Sequence, residues 1–402
     1  MKAAAQPMST QESSGSISRK PHAIDSLQIG MNWFDERPGG LDRVVSTLVQ
    51  SLPAQGVRVR AVVAGSAGLS RTTNGVITPF AEPDAPLYKR FLKLRREVSR
   101  LCSERMPDLL AIHFSLYGAP IIGSFSKMPV VVHFHGPWAD ESANGAPPSA
   151  KVRLQRMVER YVYQRGDRHI VLSQAFADVL ARYGVRPETI RIVPGCVDFE
   201  RFAIDVDRRE ARAALGLPHD RPVLFCVRRL VSRMGLEDLI DAMYIVRQAV
   251  PDALLVIAGK GPLSAALTAR IEQRGLTRHV RLAGFVADEA LPLWYRAADL
   301  SVVPSRALEG FGLTTIESLA AGTPVLVTPV GGLPEAVSPL SEALVLDAIG
   351  CEALGHGLAD AVLGRRVLPD EDACRDYARS NFDVPVIAEK VTNVYREAIR
   401  NR

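Results

Sequence analysis

The stretch PSRALEGFGLTTIESLAAGTPVLVTPVGGLPE, residues 304–335, decides how the rest of this 402-residue chain is read. An apolar run, Leu300–Val303, ends just before it and reads as a strand. Helical spacing begins near Gly312 and continues over Thr314–Ala321, and a second apolar run, Val325–Val327, follows. Strand, loop, helix and strand in that order make a right-handed βαβ unit of a parallel sheet. Glu309 lies in the loop and Glu317 eight positions later on the helix. Gly310 and Gly312 leave the backbone uncovered where a helix N-terminus points its free N–H groups outward, a place that attracts anions and polar ligands. A carboxylate beside it suits a vicinal diol. The plainer reading is a first-turn carboxylate favoured by the helix dipole and a solvated helix residue.

Outward from this unit the same rhythm continues. Upstream, strands read at Val223–Val227, Ala253–Ala258 and Val280–Ala283, and downstream at Ala343–Leu346, with a helix at Leu236–Ala249. Before a polar patch at Asp205–Glu210, strands read at Leu27–Trp33, Val57–Ala64, Leu109–Phe114, Val130–Phe134, His169–Leu172 and Ile190–Val193. Helices fall between them, for example at Leu41–Leu52 and Lys151–Gln164. The class is therefore α/β, with two doubly wound, Rossmann-like domains, residues 23–200 and 201–383. Ligands of such sheets sit at the carboxyl ends of the strands, so a cleft between facing domains is the natural site. A last helix within 384–402 is available to pack back on the first domain. Residues 1–22 are polar and Ser-rich and read as a disordered tail.

Composition narrows the function class. With 47% hydrophobic and 23% charged residues the chain builds sizeable cores, and its net charge of +5 suits phosphates, nucleotides or acidic lipid without singling out nucleic acid. Five cysteines with no CxxC pair argue against a disulfide framework or zinc knuckle and for a reduced, cytoplasmic setting. No apolar run reaches the ~18 residues of a membrane span, and the first residues lack the apolar middle of a signal peptide.

The 304–335 segment resembles the E-x7-E motif of the retaining glycosyltransferases of GT-B fold, especially family 4, and the resemblance runs over nearly the whole chain from about residue 27. It implies that Glu309 contacts donor-sugar hydroxyls, that the backbone at Gly310, Phe311, Gly312 and Leu313 lies near sugar and phosphate, and that Glu317 holds the ribose. CVRRLVSRMGLEDLI, residues 226–240, is similar to the family's GRL-x3-KG segment, whose Arg and Lys grip the donor diphosphate. Arg229 matches the Arg, but Arg228 stands at the glycine and Met234 at the lysine. Arg233, one position earlier, is the nearest replacement, and its planar fork suits phosphate.

Further pieces agree with the resemblance. In NWFDERPGGLDRVV, Gly39 and Gly40 open a helix and allow close backbone approach; the family's matching loop faces the donor. VVVHFHGPWADES puts His133 and His135 on one strand face. As a metal pair they lack a third ligand at suitable spacing, and His133 reads as a satisfied core histidine. His135 resembles the family's active-site histidine, and Asp140 and Glu141 follow as acceptor-side candidates. IVPGCVDFERF resembles the junction before the second domain, with Cys196 where Gly is usual. AGKGP with Gly261, GFV with Val286, and Ser173 resemble donor-turn, base-contact and acceptor-side positions; Ser173 is equally an ordinary N-cap.

What the resemblance implies is a metal- and cofactor-free transfer of a sugar from a nucleoside diphosphate to a glycan or lipid-linked acceptor, with no nucleic acid involved. The rivals are a nucleotide-sugar epimerase, a GT-B phosphorylase, or a non-catalytic binding subunit. Asp205-Val-Asp207 and Asp370-Glu-Asp372 fit the metal-holding D-x-D pattern of another transferase class but flank helix starts, where Asp caps. The basic stretch 88–106 has two readings, a surface helix packed on its own sheet or a peripheral contact with anionic lipid at the inner membrane face.

Overall fold

The structure is a computed structural model and describes residues 24–124, 128–143 and 149–402. The tail read over residues 1–22 lies outside them. Two parallel sheets form the frame. The first holds β1 (Ile24–Asn32), β2 (Val57–Ala64), β3 (Ile77–Ala81), β4 (Leu109–Ile112), β5 (Val130–Phe134), β6 (Arg168–Val171) and β7 (Ile190–Ile192), in spatial order 3-2-1-4-5-6-7. The second holds β8 (Val223–Val227), β9 (Leu254–Ala258), β10 (Val280–Gly284), β11 (Leu300–Val303) and β12 (Val325–Val327), in order 10-9-8-11-12. The strand order reverses between β1 and β4 and again between β8 and β11. Those two crevices are where an open α/β sheet offers a ligand site.

Parallel strands covered by helices on both faces read as continuous apolar runs. β4, β5, β9, β11 and β12 are buried at every position. β3 escapes the sequence reading because Pro79 interrupts it. Proline lacks an N–H, and β3 tolerates it as an edge strand, paired with β2 alone.

The strand expected at Ala343–Leu346 is a correction. The chain there makes a 3-10 turn, Glu342–Leu344, and a single bridge from Val345 to Val327. The Ser341 hydroxyl caps the turn by accepting from Ala343 N, and the Arg366 guanidinium donates to the carbonyls of Ala343 and Val345. Those carbonyls are thereby withdrawn from any ladder.

The last helix, Val384–Arg400, crosses back to the first sheet. Ile387, Ala388, Val391, Val394, Tyr395 and Ala398 share a core with Trp33, Val45, Leu52 and Ile170. Each large apolar side chain so buried contributes about 1.5–3 kcal/mol. Glu397 ties the helix to β6 and β7 through Arg168 and Arg191.

Candidate functional site

The helix Leu313–Ala320 opens at the mouth of the second sheet's crevice. Its N-cap, Gly312, sits at φ +77, in the left-handed region. Leu308 is also left-handed, at φ +54, in the loop that delivers Glu309. Two glycines behind the loop hold it: a Cβ on Gly331 would stand 2.0 Å from the Glu309 carbonyl oxygen, and one on Gly332 would stand 2.2 Å from that of Gly310. Gly332 N donates to the Glu309 carbonyl at 3.0 Å. Gly310 lies against Phe176 of the first domain, which a Cβ would meet at 2.3 Å.

Glu309 points into this space and is nearly covered. Its Oε2 accepts from the Ser305 hydroxyl at 2.9 Å and lies 3.1 Å from Arg228 Nη2. Glu317 sits on the helix, 7% exposed, and accepts from the Tyr295 hydroxyl at 2.9 Å. Burial raises its carboxyl pKa, and the nearby cations of Arg43 and Arg201 pull it back. A cleft of about 560 Å³ opens beside it, lined among others by Phe34, Arg43, Arg201 and Asp288. Phe311 and Leu313 place their backbone at the helix start, while the Phe311 ring packs edge-on against Phe382 in the core.

The segment after β8 is held by backbone contacts. Arg228 N donates to the Ala258 carbonyl and Leu230 N to that of Lys260. Gly259 and Gly261 allow this approach, since a Cβ on either would collide with the Arg228 or Leu230 carbonyl oxygen. Gly261 thus shapes the turn. Gly235, at φ +72, turns the chain into the helix Leu236–Ala249, and Met234 before it is buried in the core below. Arg229 is exposed, and its guanidinium has no hydrogen bond or ion pair among the described residues. Arg233 has partners already: it donates to the Leu308 carbonyl at 3.0 Å and faces Glu141 at 3.6 Å. Burial lowers its pKa. Its visible work is to fix the Glu309 loop and reach across to the first domain.

On the facing side, Gly39 and Gly40 start the helix Gly40–Ser51. Asp42 of that helix accepts from Asn32 N at 2.8 Å, pinning the end of β1, and leaves no room for a Cβ on Gly39. Gly40 faces open space. Arg43 of the same helix pairs with Asp288 across the cleft, and Arg201 pairs with Asp288 within the second domain. Asp288 follows the loop that carries Val286, which is half-buried beside the exposed Phe285.

His133 and His135 meet a third histidine that spacing did not supply, His113 at the end of β4. The nitrogens of all three lie within 4.8 Å of one another. One of their lone pairs, that of His113, is taken up within the cluster. Gln28 Nε2 donates to Ser26 Oγ at 3.0 Å, which turns Gln28 Oε1 towards His113 Nε2 at 2.8 Å and the Tyr395 hydroxyl at 3.2 Å. His113 Nε2 therefore carries the proton, and its bare Nδ1 accepts from His135 Nε2 at 3.2 Å. The tautomer of His135 that follows has Nδ1 as its free acceptor. His133 Nε2 donates to the Tyr395 hydroxyl at 2.9 Å, a satisfied core histidine. Burial lowers the His135 pKa to about 4 and holds His113 and His133 well below the usual range, so all three are neutral at pH 7.

The remaining candidates divide. Asp140 is paired with Arg156 at 2.7 Å, on the helix Trp138–Ala143 that also carries Glu141. Ser173 is the N-cap of the helix Gln174–Arg182, accepting from Phe176 N. That helix end also receives a residue missed in the sequence: Glu335 of the second domain accepts from Gln174 N at 2.6 Å and Ala175 N at 2.9 Å. Asp207 and Asp370 of the D-x-D patterns are helix caps. His113, Gln28, Tyr395, Arg43 and Glu335 were all missed. A signal existed for His113 alone, since AIHF ends its strand as VVVHFH ends the next one.

Comparison with known proteins agrees with this fold. Residues 38–201 match the family Glycosyltransferase Family 4, and residues 207–381 match Glycosyl transferases group 1. D-inositol 3-phosphate glycosyltransferase of Jonesia denitrificans is 30% identical over 336 residues, 77% of this chain and 79% of that protein. A GDP-mannose-dependent α-(1-6)-phosphatidylinositol monomannoside mannosyltransferase of Mycobacterium tuberculosis is 31% identical over 52% of this chain and 56% of its own length. The structure of HepE from Anabaena in complex with UDP and glucose superposes with a TM-score of 0.75 at 18% identity, covering 93% of this chain and 100% of that one. With two Rossmann-like domains facing one cleft and both family descriptions met in order, the chain belongs to the family 4 glycosyltransferases of GT-B fold.

Proposed function

We propose that the protein transfers a sugar, with retention and without a metal, from a nucleoside diphosphate sugar to a hydroxyl of a glycan or lipid-linked acceptor. The observation that carries this reading is the pair Glu309, in the loop before the helix Leu313–Ala320, and Glu317, on its second turn, with Arg228 and the exposed Arg229 alongside. The ribose takes Glu317, the sugar diol takes Glu309, and the diphosphate takes the helix N–H groups and Arg229. Charge develops on the departing diphosphate, where fixed dipoles contribute most because they need not reorient. His135, held neutral, accepts at Nδ1 a hydrogen bond from a hydroxyl of the sugar or acceptor. The leaving phosphate takes the acceptor's proton, so no protein nucleophile enters.

Relatives named for inositol 3-phosphate and for phosphatidylinositol mannoside support a polar, phosphate-bearing or lipid-linked acceptor. The helix Leu87–Glu104 supports approach to an anionic membrane face: Tyr88 and Leu92 are 63% and 67% exposed, and Lys89, Lys93 and Arg96 surround them. Among the described residues no helix is long and apolar enough to cross a membrane.

The test is transfer from a panel of nucleotide sugars in the presence of EDTA, with the product's anomeric configuration read by NMR. Glu309→Gln should lower turnover about 100-fold or more, the usual effect of removing one transition-state contact. A wild type that turns over only with added divalent metal, or an inverted product, refutes the reading.

A further inference from the structure

Arg228 occupies a position where the resemblance places glycine, and the structure leaves the hydrogen-bonding capacity of its Nε and Nη2 unused among the described residues. Its side chain is 7% exposed. Nε is buried with no acceptor among the described residues, and Nη2 has only the Glu309 carboxylate at 3.1 Å, without hydrogen-bond alignment. The guanidinium lies at the start of the helix Leu313–Ala320, with Nη2 3.9 Å from where a Cβ of Gly312 would stand. On that helix's first turn the hydroxyls of Thr314 and Thr315 are buried and equally without a partner. A buried cation beside the positive end of a helix, among unsatisfied donors and with one unaligned carboxylate, favours a further anion that can bond to all of them.

We propose that Arg228 is a ligand of the terminal phosphate of the donor diphosphate, replacing the charge lost at Met234, and that Glu309 is its counter-ion while the site is empty. This rests on the donor reading given above. The basic residues divide the work accordingly. Met234 is buried in the core, Arg233 is committed to the Leu308 carbonyl, and Arg229 is exposed at the rim. Arg228 is thus, among the described residues of this segment, the interior cation facing the helix start. Its backbone is fixed by the Ala258 carbonyl and by the close approach of Gly259, so the exchange is a side-chain movement. An entering phosphate offers the guanidinium a bidentate, doubly charged partner and draws it from the carboxylate. Glu309 keeps the Ser305 hydroxyl and becomes free to accept from the sugar diol. Phosphate binding and sugar binding are coupled through one ion pair.

The test is calorimetric titration, in EDTA, of the preferred base as its nucleoside monophosphate and diphosphate. Arg228→Gln should weaken the diphosphate at least 10-fold and the monophosphate less than twofold. Glu309→Gln should tighten the diphosphate several-fold, because it removes the competing carboxylate. The double variant Arg228→Gly with Met234→Lys restores the arrangement of the resembling segment and should recover diphosphate affinity to within about threefold. Melting temperatures of all variants check that they fold. An Arg228→Gln protein that binds the diphosphate as wild type does, or loses both nucleotides equally, overturns the assignment of Arg228 while leaving the donor site standing. Unchanged or weaker binding by Glu309→Gln overturns the counter-ion exchange. A wild type that binds no nucleoside diphosphate removes the donor reading, and this inference with it.

Discussion

Mild acid should loosen this protein through histidines that the fold keeps uncharged. His113, His133 and His169 are 2%, 4% and 1% exposed. Burial lowers His169 to about 4 and puts His113 and His133 well below the usual range. In the unfolded chain each takes up its proton near pH 6.5. Between those values the unfolded state binds protons that the folded state refuses. Stability is therefore intact above about pH 7 and falls as the pH drops through 6.5. From pH 7.5 to 5.5 each histidine removes about 1.4 kcal/mol, and the three together about 4 kcal/mol. That is a large part of the 5–15 kcal/mol typical of a folded domain and lowers the melting temperature by roughly 10 °C. Glu159, Glu317 and Asp42 act in the opposite sense, since burial raises their carboxyl pKa values. Their effect grows towards pH 4 and flattens the lower end of the curve. Differential scanning calorimetry at pH 7.5, 6.5 and 5.5 reads the loss, and a pH indicator reads proton uptake on unfolding. His169→Gln, which removes the ring that meets Thr189 and the Tyr163 carbonyl, should reduce the loss by one histidine's share. A melting temperature constant within 2 °C over that range, or unfolding without proton uptake at pH 5.5, refutes the reasoning.

Tyr395→Phe keeps the ring and removes the hydroxyl that His133 donates to, leaving a buried donor unpaired. It should cost about 1–3 kcal/mol of stability, seen as a lower denaturant midpoint, with nucleotide affinity unchanged. Gly331→Ala puts a Cβ 2.0 Å from the Glu309 carbonyl oxygen at a residue with φ +56. The loop must shift by about 1 Å or more, so transfer should fall about 100-fold, with most of the loss in kcat.

The architecture was open to reading because burial on both faces keeps most parallel strands rich in apolar residues, and eleven of the twelve strands coincide with apolar runs in the sequence. β3 was hidden by Pro79, and the false strand at Ala343–Leu346 was apolar for a different reason: Leu344 and Leu346 fill the core beneath a turn. The donor-side glutamates stood out through the glycines around them. What spacing could not show was which residues meet across the chain. Arg233 looked like a free phosphate ligand, and only the fold brings the Leu308 carbonyl to it. The His135 tautomer depends on Gln28 and Tyr395, which are 367 positions apart. Arg228 read as a lost glycine until its burial beside Glu309 was visible.

The return of the last helix to the first sheet has a consequence for how the chain comes into being. During synthesis the first domain emerges early, yet the side chains that complete its floor, from Ile387 to Ala398, leave the ribosome only after the whole second domain. Until then Trp33, Val45 and Ile170 lack their cover, and His133 lacks the hydroxyl it donates to. The second domain can mature in between as a unit of local contacts, while the first waits as an incomplete core that chaperones would recognise. Loss of the turns of this helix from Ile387 to Ala398 would therefore be felt far earlier in the sequence, at the wall of the cleft that carries His135.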